Sequence, residues 1–443
     1  MKKILLIQPN INKERRFDQL GLDYIHASLI SRGIGSKIFN MFGEDIEEIR
    51  QPVSAFSPEI VGIYCNSPLR NQSLRVARLV KRLLPKTKVV LGGPHATLVP
   101  VDLLKHDAVE YVIVGEGEFS MLNLIASIDG KGSIENVGGI CYRDEKGEIS
   151  LSRSKVIQNL DEIPFPTREE DDGFSRTVKI NSTDGNYVPL ITTRGCVYKC
   201  SFCSGSKILG KSVRKRSIDN ITEELTELRG LGFNRINLLD DNISLFPDYF
   251  QKVTETLGNL GFTWIGQSRV DLHRRFGFAQ LKKWGCEQIE FGVESGSPRV
   301  LRYLAKGNSL DDVASSFEQC RSYGIRSFAN FIVGSPNETV EDVRKTFDLI
   351  EAIAPDSFGL WIATPYPGTR MFDDAQARKI LVYQGEELFD VFERINSTGI
   401  TNFQGYFRGS GKCLEEARKL LGKCKYKSQL FKPRNNHSYV AEC

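Results

Sequence analysis

Three cysteines in one short loop constrain this chain more than any other feature. Cys196, Cys200 and Cys203 follow one another with the spacing C-x3-C-x2-C, directly after the apolar run 188–193, which predicts a β-strand. Three thiolates in one loop can hold one corner of a cuboidal iron–sulfur cluster and leave the fourth iron without a protein ligand, whereas ferredoxin-type clusters take four cysteines. An iron without a protein ligand can bind a small molecule. The loop therefore predicts an iron–sulfur cluster that binds such a molecule.

Two other uses of cysteine fit this loop less well. Structural zinc sites usually combine two separated C-x2-C pairs, or cysteines with histidines, and the sequence has no such partner for the loop. A disulfide framework is disfavoured because ten cysteines in 443 residues, most of them isolated, are typical of a reducing compartment. The cysteines therefore favour a cluster and a cytoplasmic location.

Composition and charge exclude several classes of protein. With 40% hydrophobic and 26% charged residues, the chain is long enough for two or three globular domains. Its apolar runs are shorter than the roughly 18 residues that a membrane span requires. The first apolar run ends at Gln8, too early for a signal peptide. The net charge of +4 is spread thinly, and the one dense basic stretch, 207–216, is more simply a solvated loop than a nucleic-acid contact. We expect neither a membrane span nor a nucleic-acid partner.

Residues 1–134 alternate short apolar runs with helical patterns. The predicted strands are 3–8, 36–40, 60–64, 88–91 and 111–114, and the predicted helices are 20–31, 45–53, 72–84, 101–105 and 119–128. This alternation predicts a doubly wound parallel sheet, which binds ligands beyond the carboxyl ends of its strands. The loops 66–68, 92–95 and 115–118 lie at those ends, and their glycines let a ligand approach the backbone. The first strand is not followed by G-x-G-x-x-G, so a dinucleotide is not indicated.

Residues 188–372 predict six strand–helix units. The predicted strands are 188–193, 235–239, 263–268, 288–291, 327–333 and 357–363. Three of the intervening helices begin at capping residues, Ser217, Ser309 and Thr339. Six such units predict a partial barrel with its chemistry at the carboxyl ends of the strands, where the polar stretches 240–242, 267–269, 294–297 and 334–339 are found.

Together these motifs resemble the radical S-adenosylmethionine (SAM) superfamily, in its branch with an N-terminal cobalamin-binding domain. The matching features include the aromatic Phe202 before the last cysteine and the phrases 159–166 and 365–369. The resemblance covers residues 1–370. It implies an α/β protein with a Rossmann-like doubly wound parallel sheet at 1–134 and a linker with a β-pair at 135–187. A radical SAM partial (β/α)6 TIM barrel at 188–372 and a small C-terminal helical cap at 373–443 would follow.

The resemblance also implies which residues hold the cofactors. Cys196, Cys200 and Cys203 would ligate a [4Fe–4S] cluster, whose open iron would be chelated by the amine and carboxylate of SAM. Glu294 suits the amine and Arg269 the carboxylate. The residues expected near SAM are Phe202, Asp240, Ser268, Arg269, Glu294, Ser295, Gly334 and Pro336. The residues expected to contact cobalamin are Ser67, Gly92, Gly93, Pro94, Gly115 and Glu116.

One departure from the family pattern concerns the cobalt ligand. The D-x-H-x-x-G motif, whose histidine ligates cobalt in other cobalamin proteins, is absent, because Asp23 is followed by Tyr24 and Ile25, and His26 comes one position late. His95 is a candidate ligand, although a turn histidine bonded to the backbone is the simpler interpretation. Many relatives lack the lower histidine, so cobalamin is still expected. A Rossmann-like domain that no longer uses a corrinoid stays an alternative.

The resemblance implies a methyltransferase that acts on an unactivated carbon of a small molecule, natural product, lipid or tetrapyrrole. An electron from a donor such as flavodoxin or ferredoxin would cleave SAM to methionine and a 5′-deoxyadenosyl radical, and the substrate radical would take a methyl group from cobalamin, which a second SAM restores. A radical cyclisation, rearrangement or dehydration and a cobalamin-binding regulator with an inert barrel are the alternatives. Methylthiolation of RNA is disfavoured, because the additional cysteine domain and RNA-binding barrel of that family have no counterpart in the sequence.

Overall fold

The computed structural model describes residues 2–11, 20–152, 156–168, 178–179, 186–398, 404–423 and 438–442. The chain divides into two compact units. The first consists of Met1–Arg176, Lys207–Gly210 and Gly385–Ser397, and the second consists of Thr177–Ser206, Lys211–Gln384 and Thr398–Cys443. The domain boundaries expected at 134, 187 and 372 stay predictions, and a segment near the C-terminus belongs to the first unit.

A seven-stranded sheet forms the centre of the first unit. Its strands are β1 Lys3–Gln8, β2 Gly35–Asn40, β3 Ile60–Tyr64, β4 Lys88–Gly92, β5 Tyr111–Ile113, β6 Ile140–Arg143 and β7 Ile149–Leu151. The order across the sheet is β2-β1-β3-β4-β5-β6-β7. The first five strands are parallel, which confirms the doubly wound parallel sheet, and β6 and β7 are antiparallel. The β-pair expected in a linker therefore extends this sheet.

Helices cover both faces of the first sheet. They are α1 Leu20–Ile30, α2 Arg50–Phe56, α3 Arg70–Leu83, α4 Pro94–Leu98, α5 Pro100–Leu104 and α6 Glu118–Ile128. Alternate side chains of a strand point to opposite faces. Leu5 and Leu91 accordingly pack with Leu74 of α3, while Leu6 packs on the other face with Met121 of α6. Both faces are buried, as is typical of a parallel sheet.

An open eight-stranded sheet forms the second unit. The strands of this unit are β8 Val178–Lys179, β9 Asn186–Leu190, β10 Thr193–Arg194, β11 Arg214–Lys215, β12 Arg235–Leu238, β13 Thr263–Ser268, β14 Cys286–Glu294, β15 Arg326–Val333, β16 Ser357–Ile362 and β17 Ser438–Glu442. The order across the sheet is β17-β16-β15-β14-β13-β12-β9-β8. The six strands from β16 to β9 are parallel neighbours, and β17 and β8 pair antiparallel at the two edges. The six parallel strands are those expected from the sequence, which confirms the partial barrel.

The remaining helices are α7 Gly205–Ile208, α8 Ile218–Gly230, α9 Pro247–Asn259, α10 Phe278–Lys283, α11 Pro298–Leu304, α12 Leu310–Ser322, α13 Val340–Ile353, α14 Arg370–Ala377, α15 Gly385–Thr398 and α16 Ser410–Leu421. Short 3-10 helices are Ile46–Ile49, Ile134–Asn136, Leu160–Glu162 and Val270–Arg274. Ser217, Ser309 and Thr339 cap their helices as expected. The cap expected at 373–443 is divided, because α15 belongs to the first unit and α16 to the second. Within the described residues, every helix is too short or too polar to cross a membrane.

Candidate active site

The cysteine loop begins just after β9 and is held by the barrel at several points. β10 and β11 pair antiparallel and close the loop at its base. Gly195 has a positive φ of 105°, which a turn directly before Cys196 requires. Further along the loop, the Ser201 N–H donates to the Leu304 carbonyl (2.8 Å), and the Met371 N–H donates to the Ser201 carbonyl (2.7 Å). The loop is therefore attached to α11 and α14 as well as to its own strand.

The three thiols lie together in this loop. Burial raises the pKa of Cys196, Cys200 and Cys203, although the Gly205 N–H donates to Cys203 Sγ (3.3 Å) and opposes the rise. The charge of Cys203 acts on both other thiols, so the three are electrostatic neighbours. Among the described residues, no three His, Cys, Asp or Glu side chains converge as ligands of one metal ion do. A cuboidal cluster binds each thiolate through a different iron, and that arrangement fits a three-cysteine loop.

Two adjacent carboxylates after β12 have different surroundings. Asp240 is buried, and its Oδ1 accepts hydrogen bonds from the N–H and the hydroxyl of both Thr192 and Thr193. Asp240 thus fixes the chain that enters the cysteine loop. Asp241 lies beside the loop itself. A carbon added to Gly205 would lie 3.5 Å from Cys203 Sγ and 3.8 Å from Asp241 Oδ1, so both groups border the same glycine. Sequence reasoning selected Asp240 for SAM and did not single out Asp241, its neighbour in the same motif.

A largely buried ion pair lies beside the cysteine loop at the end of β14. The Lys306 Nζ lies 2.9 Å from Glu294 Oε1, and the two side chains are only 14% and 7% exposed. Glu294 has a φ of 73°, so the strand ends in a turn that points its carboxylate to this place. Gly292 leaves room for the pair, because an added carbon would meet both charged groups at 2.5 Å. Lys306 was not foreseen from the sequence, since it follows a helix and not a strand.

Arg269, Ser268 and Ser295 already have protein partners. The Arg269 guanidinium lies over the Tyr198 ring at 4.1 Å and donates to the Lys306 carbonyl (2.7 Å). The Ser268 hydroxyl donates to the Arg269 carbonyl (3.1 Å). The Ser295 hydroxyl pairs with that of Thr346 (3.2 Å). The structure therefore places Arg269 against the cysteine loop, where Tyr198 had no expected role.

The loop after β15, with Gly334 and Pro336, is closed by an acid. Glu338 Oε2 accepts from the N–H groups of Gly334 (2.5 Å) and Ser335 (3.0 Å). Burial raises the pKa of Glu338 to about 8. Pro336 is buried within the loop. The Cys413 thiol of α16 donates to the Glu338 carbonyl (3.3 Å), so α16 holds this loop from outside.

The residues expected to contact cobalamin lie at the carboxyl edge of the first sheet. Gly92 ends β4 and Pro94 begins α4. Gly93 has a φ of 108°, and a side chain there would meet the Cys65 carbonyl at 2.9 Å. The Gly115 N–H donates to the Thr97 hydroxyl (3.0 Å).

Two other members of this set have partners inside the unit. Glu116 Oε2 accepts from the Ile157 N–H (2.8 Å), so its carboxylate is committed to the segment after β7. The Ser67 hydroxyl lies 2.9 Å from His95 Nδ1. Burial lowers the pKa of His95 to about 3, with Arg70 adding to the effect, so its imidazole is neutral. The lower-ligand role of His95 stays a prediction.

Several buried polar atoms at this edge have no hydrogen-bonding partner among the described residues. They are Gln8 Oε1 at the end of β1, Gln72 Oε1 in the first turn of α3, and His95 Nε2 after β4. Buried polar groups are normally paired. Cobalamin carries amide groups around its ring, and these would supply hydrogen-bond donors and acceptors to such atoms. Gly93 has no side chain, so a ligand can approach the backbone there. The edge therefore fits such a ligand.

Helix α15 lies against the same edge. Arg70 donates to both carboxylate oxygens of Glu386 (2.6 and 2.7 Å), and its guanidinium stacks on the Phe389 ring at 4.4 Å. The Phe389 ring meets the His95 ring edge-on at 5.2 Å. Asn71 donates to Asp390 (2.8 Å) one turn further along. The acids spaced at 386, 390 and 393 were the available sequence signal for this contact.

Two family models match the chain. The model of the Radical SAM superfamily matches residues 190–350, and that of the B12 binding domain matches residues 13–125. The first match falls on the strands that carry the cysteine loop and the Glu294 turn. The second falls on the first sheet, including Gly93 and His95.

Whole-length relatives give the same result. The chain is 30% identical to an uncharacterized methyltransferase of Pyrococcus horikoshii, covering 86% of this chain and 84% of that one. It is also 30% identical to bacteriochlorophyllide d C-12(1)-methyltransferase of Chlorobaculum tepidum, over 85% and 79% of the two chains. Its fold matches the solved structure of the radical S-adenosylmethionine methyltransferase TsrM from Kitasatospora setae, with a TM-score of 0.74, 18% identity, and coverage of 95% and 91%.

Proposed function

Because the chain belongs to the radical SAM superfamily, in the branch with an N-terminal B12-binding domain, we propose that it methylates an unactivated carbon of a small molecule. The family implies a [4Fe–4S] cluster and SAM in the second unit, and the B12 binding domain implies cobalamin in the first. One observation carries the proposal: the chain has a three-cysteine loop at the edge of one sheet and, at the edge of the other, buried polar atoms that have no partner among the described residues. The relative from Chlorobaculum tepidum is named as a methyltransferase of a carbon position.

The protein's own residues bind and orient. When bound, the cluster and SAM supply a radical that removes a hydrogen from the substrate, and cobalamin supplies the methyl group. Cys196, Cys200 and Cys203 hold the cluster. We assign the SAM amine to Glu294 and the SAM carboxylate to Arg269, which lies over Tyr198 in the same loop.

The other expected SAM contacts divide into two kinds. Phe202, Gly334 and Pro336 lie in loops that can border the ligand and keep their proposed role. Asp240, Ser268 and Ser295 act indirectly, because their side chains form hydrogen bonds within the barrel.

The reaction needs a one-electron reductant. We propose flavodoxin or ferredoxin as the donor, because each delivers single electrons at low potential. Eight described cysteines are free thiols, which supports a reducing compartment such as the cytoplasm.

The proposal is tested with SAM that carries a deuterated methyl group. The protein is reconstituted anaerobically with iron, sulfide and hydroxocobalamin, then reduced and incubated with this SAM. The proposal expects cobalamin that carries the deuterated methyl group, together with methionine and 5′-deoxyadenosine on addition of a substrate. Formation of 5′-deoxyadenosine with unlabelled cobalamin would instead support a cyclase, rearrangement or dehydratase.

A further inference from the structure

We propose that Lys306 supplies a fixed positive charge to the cysteine loop and thereby raises the reduction potential of the cluster held there. The inference rests on the proposed function only in assuming that Cys196, Cys200 and Cys203 bind a [4Fe–4S] cluster. It concerns the electron-accepting step and not the identity of the substrate.

Hydrogen bonds attach the backbone around Lys306 to the cysteine loop and to Arg269. On one side, the Ser201 N–H donates to the carbonyl of Leu304, two residues before Lys306 (2.8 Å). On the other, the Arg269 guanidinium donates to the Lys306 carbonyl and stacks on Tyr198 of the loop. The position of Lys306 is therefore fixed relative to the loop by hydrogen bonds that do not involve its own side chain.

The Lys306 side chain extends from this anchored backbone towards the thiols. Its Nζ lies 5.9 Å from the centre of the Phe202 ring. In the sequence, Phe202 lies between Cys200 and Cys203. Its charge favours the thiolate form of Cys196, Cys200 and Cys203. At Cys200 and Cys203 this effect exceeds the opposite effect of Glu294, so the ion pair acts there as a net positive charge. The Asp241 carboxylate opposes Lys306 at Cys196 and Cys203.

The charge has a direct consequence for electron uptake. A [4Fe–4S] core bound by three thiolates is formally a monoanion when oxidised and a dianion when reduced by one electron. A nearby cation stabilises the dianion more than the monoanion. Net charge is one of the factors that set the potentials of such clusters. Because the Lys306 side chain is only 14% exposed, water screens its charge less than that of a surface lysine. A lysine serving only as the structural partner of Glu294 would have no such effect on the potential.

Two substitutions that keep side-chain size test the inference with opposite expected signs. Lys306→Met removes the positive charge, and Glu294→Gln removes the negative one. The midpoint potential of the reconstituted cluster is measured in the full-length protein without SAM, by a dye-mediated titration followed by electron paramagnetic resonance. At a fixed solution potential, we expect each substitution to change the ratio of reduced to oxidised cluster on the order of tenfold. This change corresponds to a shift of about 59 mV in the midpoint potential for one electron. The shift is to lower potential for Lys306→Met and to higher potential for Glu294→Gln.

Two control variants complete the experiment. Lys306→Arg keeps the charge and is expected to stay close to the wild-type potential. Lys283→Met removes an exposed lysine on α10 and is expected to have no effect. Shifts of the same sign in Lys306→Met and Glu294→Gln, or a wild-type potential in Lys306→Met, would overturn the inference.

Iron content covers the case in which a variant fails to keep its cluster. If Lys306→Met folds but loses iron while Lys306→Arg retains it, Glu294→Gln decides the test: a potential above wild type supports the inference, and one at or below wild type overturns it. If both lose iron, Lys306 acts by packing and the inference is wrong. A wild-type protein that binds no cluster would refute the proposed function itself, a result distinct from an unchanged potential.

Discussion

The carboxyl edges of the two sheets are assembled in different ways. At the barrel edge, the groups around the cysteine loop come mostly from loops that directly follow their strands, such as Asp240 after β12 and Arg269 after β13. At the edge of the first sheet, Arg70 meets Glu386, which lies 316 residues further along the chain. The barrel edge is thus completed by local sequence, whereas the first edge is completed by a helix from the far end of the chain.

This difference shows that the two sites depend on different interactions. Around the cysteine loop, opposite charges and hydrogen bonds pair within the barrel, as in the Lys306–Glu294 pair. At the first edge, α15 is attached through charged groups. Among the described residues, both edges keep buried polar atoms without a protein partner, such as those of Gln8 and Gln72 at the first edge and Ser201 and Ser335 at the barrel edge. We therefore expect the two edges to differ in what holds them together, and both to keep polar atoms with which a bound ligand can pair.

The largest effect is expected at the barrel edge, from Asp240→Ala. The substitution leaves the buried N–H and hydroxyl groups of Thr192 and Thr193 without their acceptor, which costs more than about 3 kcal/mol of unfolding free energy. All three tryptophans lie in the second unit, so denaturation followed by tryptophan fluorescence reports on the barrel alone. Asp241→Ala is the matched control. An equal loss in both variants would show that the hydrogen bonds of Asp240 are not the cause.

A pH-dependent effect is expected in the loop after β15. The ordinary pKa of a glutamate is 4.5, and burial raises that of Glu338 to about 8, so between these values the folded state binds more protons than the unfolded state. Barrel stability should therefore fall as pH rises through this window, by at most about 1.4 kcal/mol per pH unit from this group. Glu338→Gln should flatten that slope in the fluorescence assay, whereas Glu341→Gln, an exposed neighbour, should not. A slope unchanged by Glu338→Gln would contradict the raised pKa.

A smaller and more local effect is expected at the first edge. Arg70→Met removes both hydrogen bonds to Glu386 and the stacking on Phe389, so α15 should open more often. Because Glu386 is largely exposed, we expect about 1–2 kcal/mol of local opening free energy to be lost. Hydrogen exchange of the amides in 385–397 measures this directly. Arg78→Met, which changes an exposed arginine on the same helix α3, should leave that exchange unchanged. Exchange in Arg70→Met that stays as slow as in the wild type would contradict the attachment of α15 through Arg70.

The smallest effect is expected where α16 meets α13. Arg344 pairs with Glu416 at 3.0 Å, but Arg344 is half-exposed. Exposed ion pairs contribute roughly 0.2–1 kcal/mol and weaken with salt. Arg344→Gln should therefore lower barrel stability by less than about 1 kcal/mol, with the difference shrinking at high ionic strength. A loss as large as that of Asp240→Ala would mean that α16 is held mainly by this pair.

Much of the barrel edge could be predicted because its signals are local. Strand periodicity placed the six parallel strands, and the cysteine spacing and the turn at Glu294 followed directly after predicted strands. Lys306 could not be predicted, because it reaches the thiols only after α11 turns back towards the cysteine loop. The hydrogen bonds of Asp240 could not be predicted either, because its partners Thr192 and Thr193 belong to a different strand–loop unit.

The first edge was predicted only in part. Its strands and its glycine turn at Gly93 were visible as alternation and composition, and they occupy the expected places. The acids at 386, 390 and 393 mark one charged face of α15, but only the tertiary fold determines which element that face contacts. The sequence also gave no reason to join β6 and β7 to this sheet, because a short hairpin has the same pattern in a linker and at a sheet edge.

The central claim is that the chain holds two separate cofactor sites, and counting metals tests it most directly. Wild-type protein, Cys200→Ala and Gly93→Ala are reconstituted anaerobically with iron, sulfide and hydroxocobalamin, desalted and analysed for iron and cobalt. We expect about four irons and one cobalt per wild-type chain, loss of iron alone in Cys200→Ala, and loss of cobalt alone in Gly93→Ala, where the added carbon meets the Cys65 carbonyl. A wild-type chain with four irons and no cobalt would contradict the account.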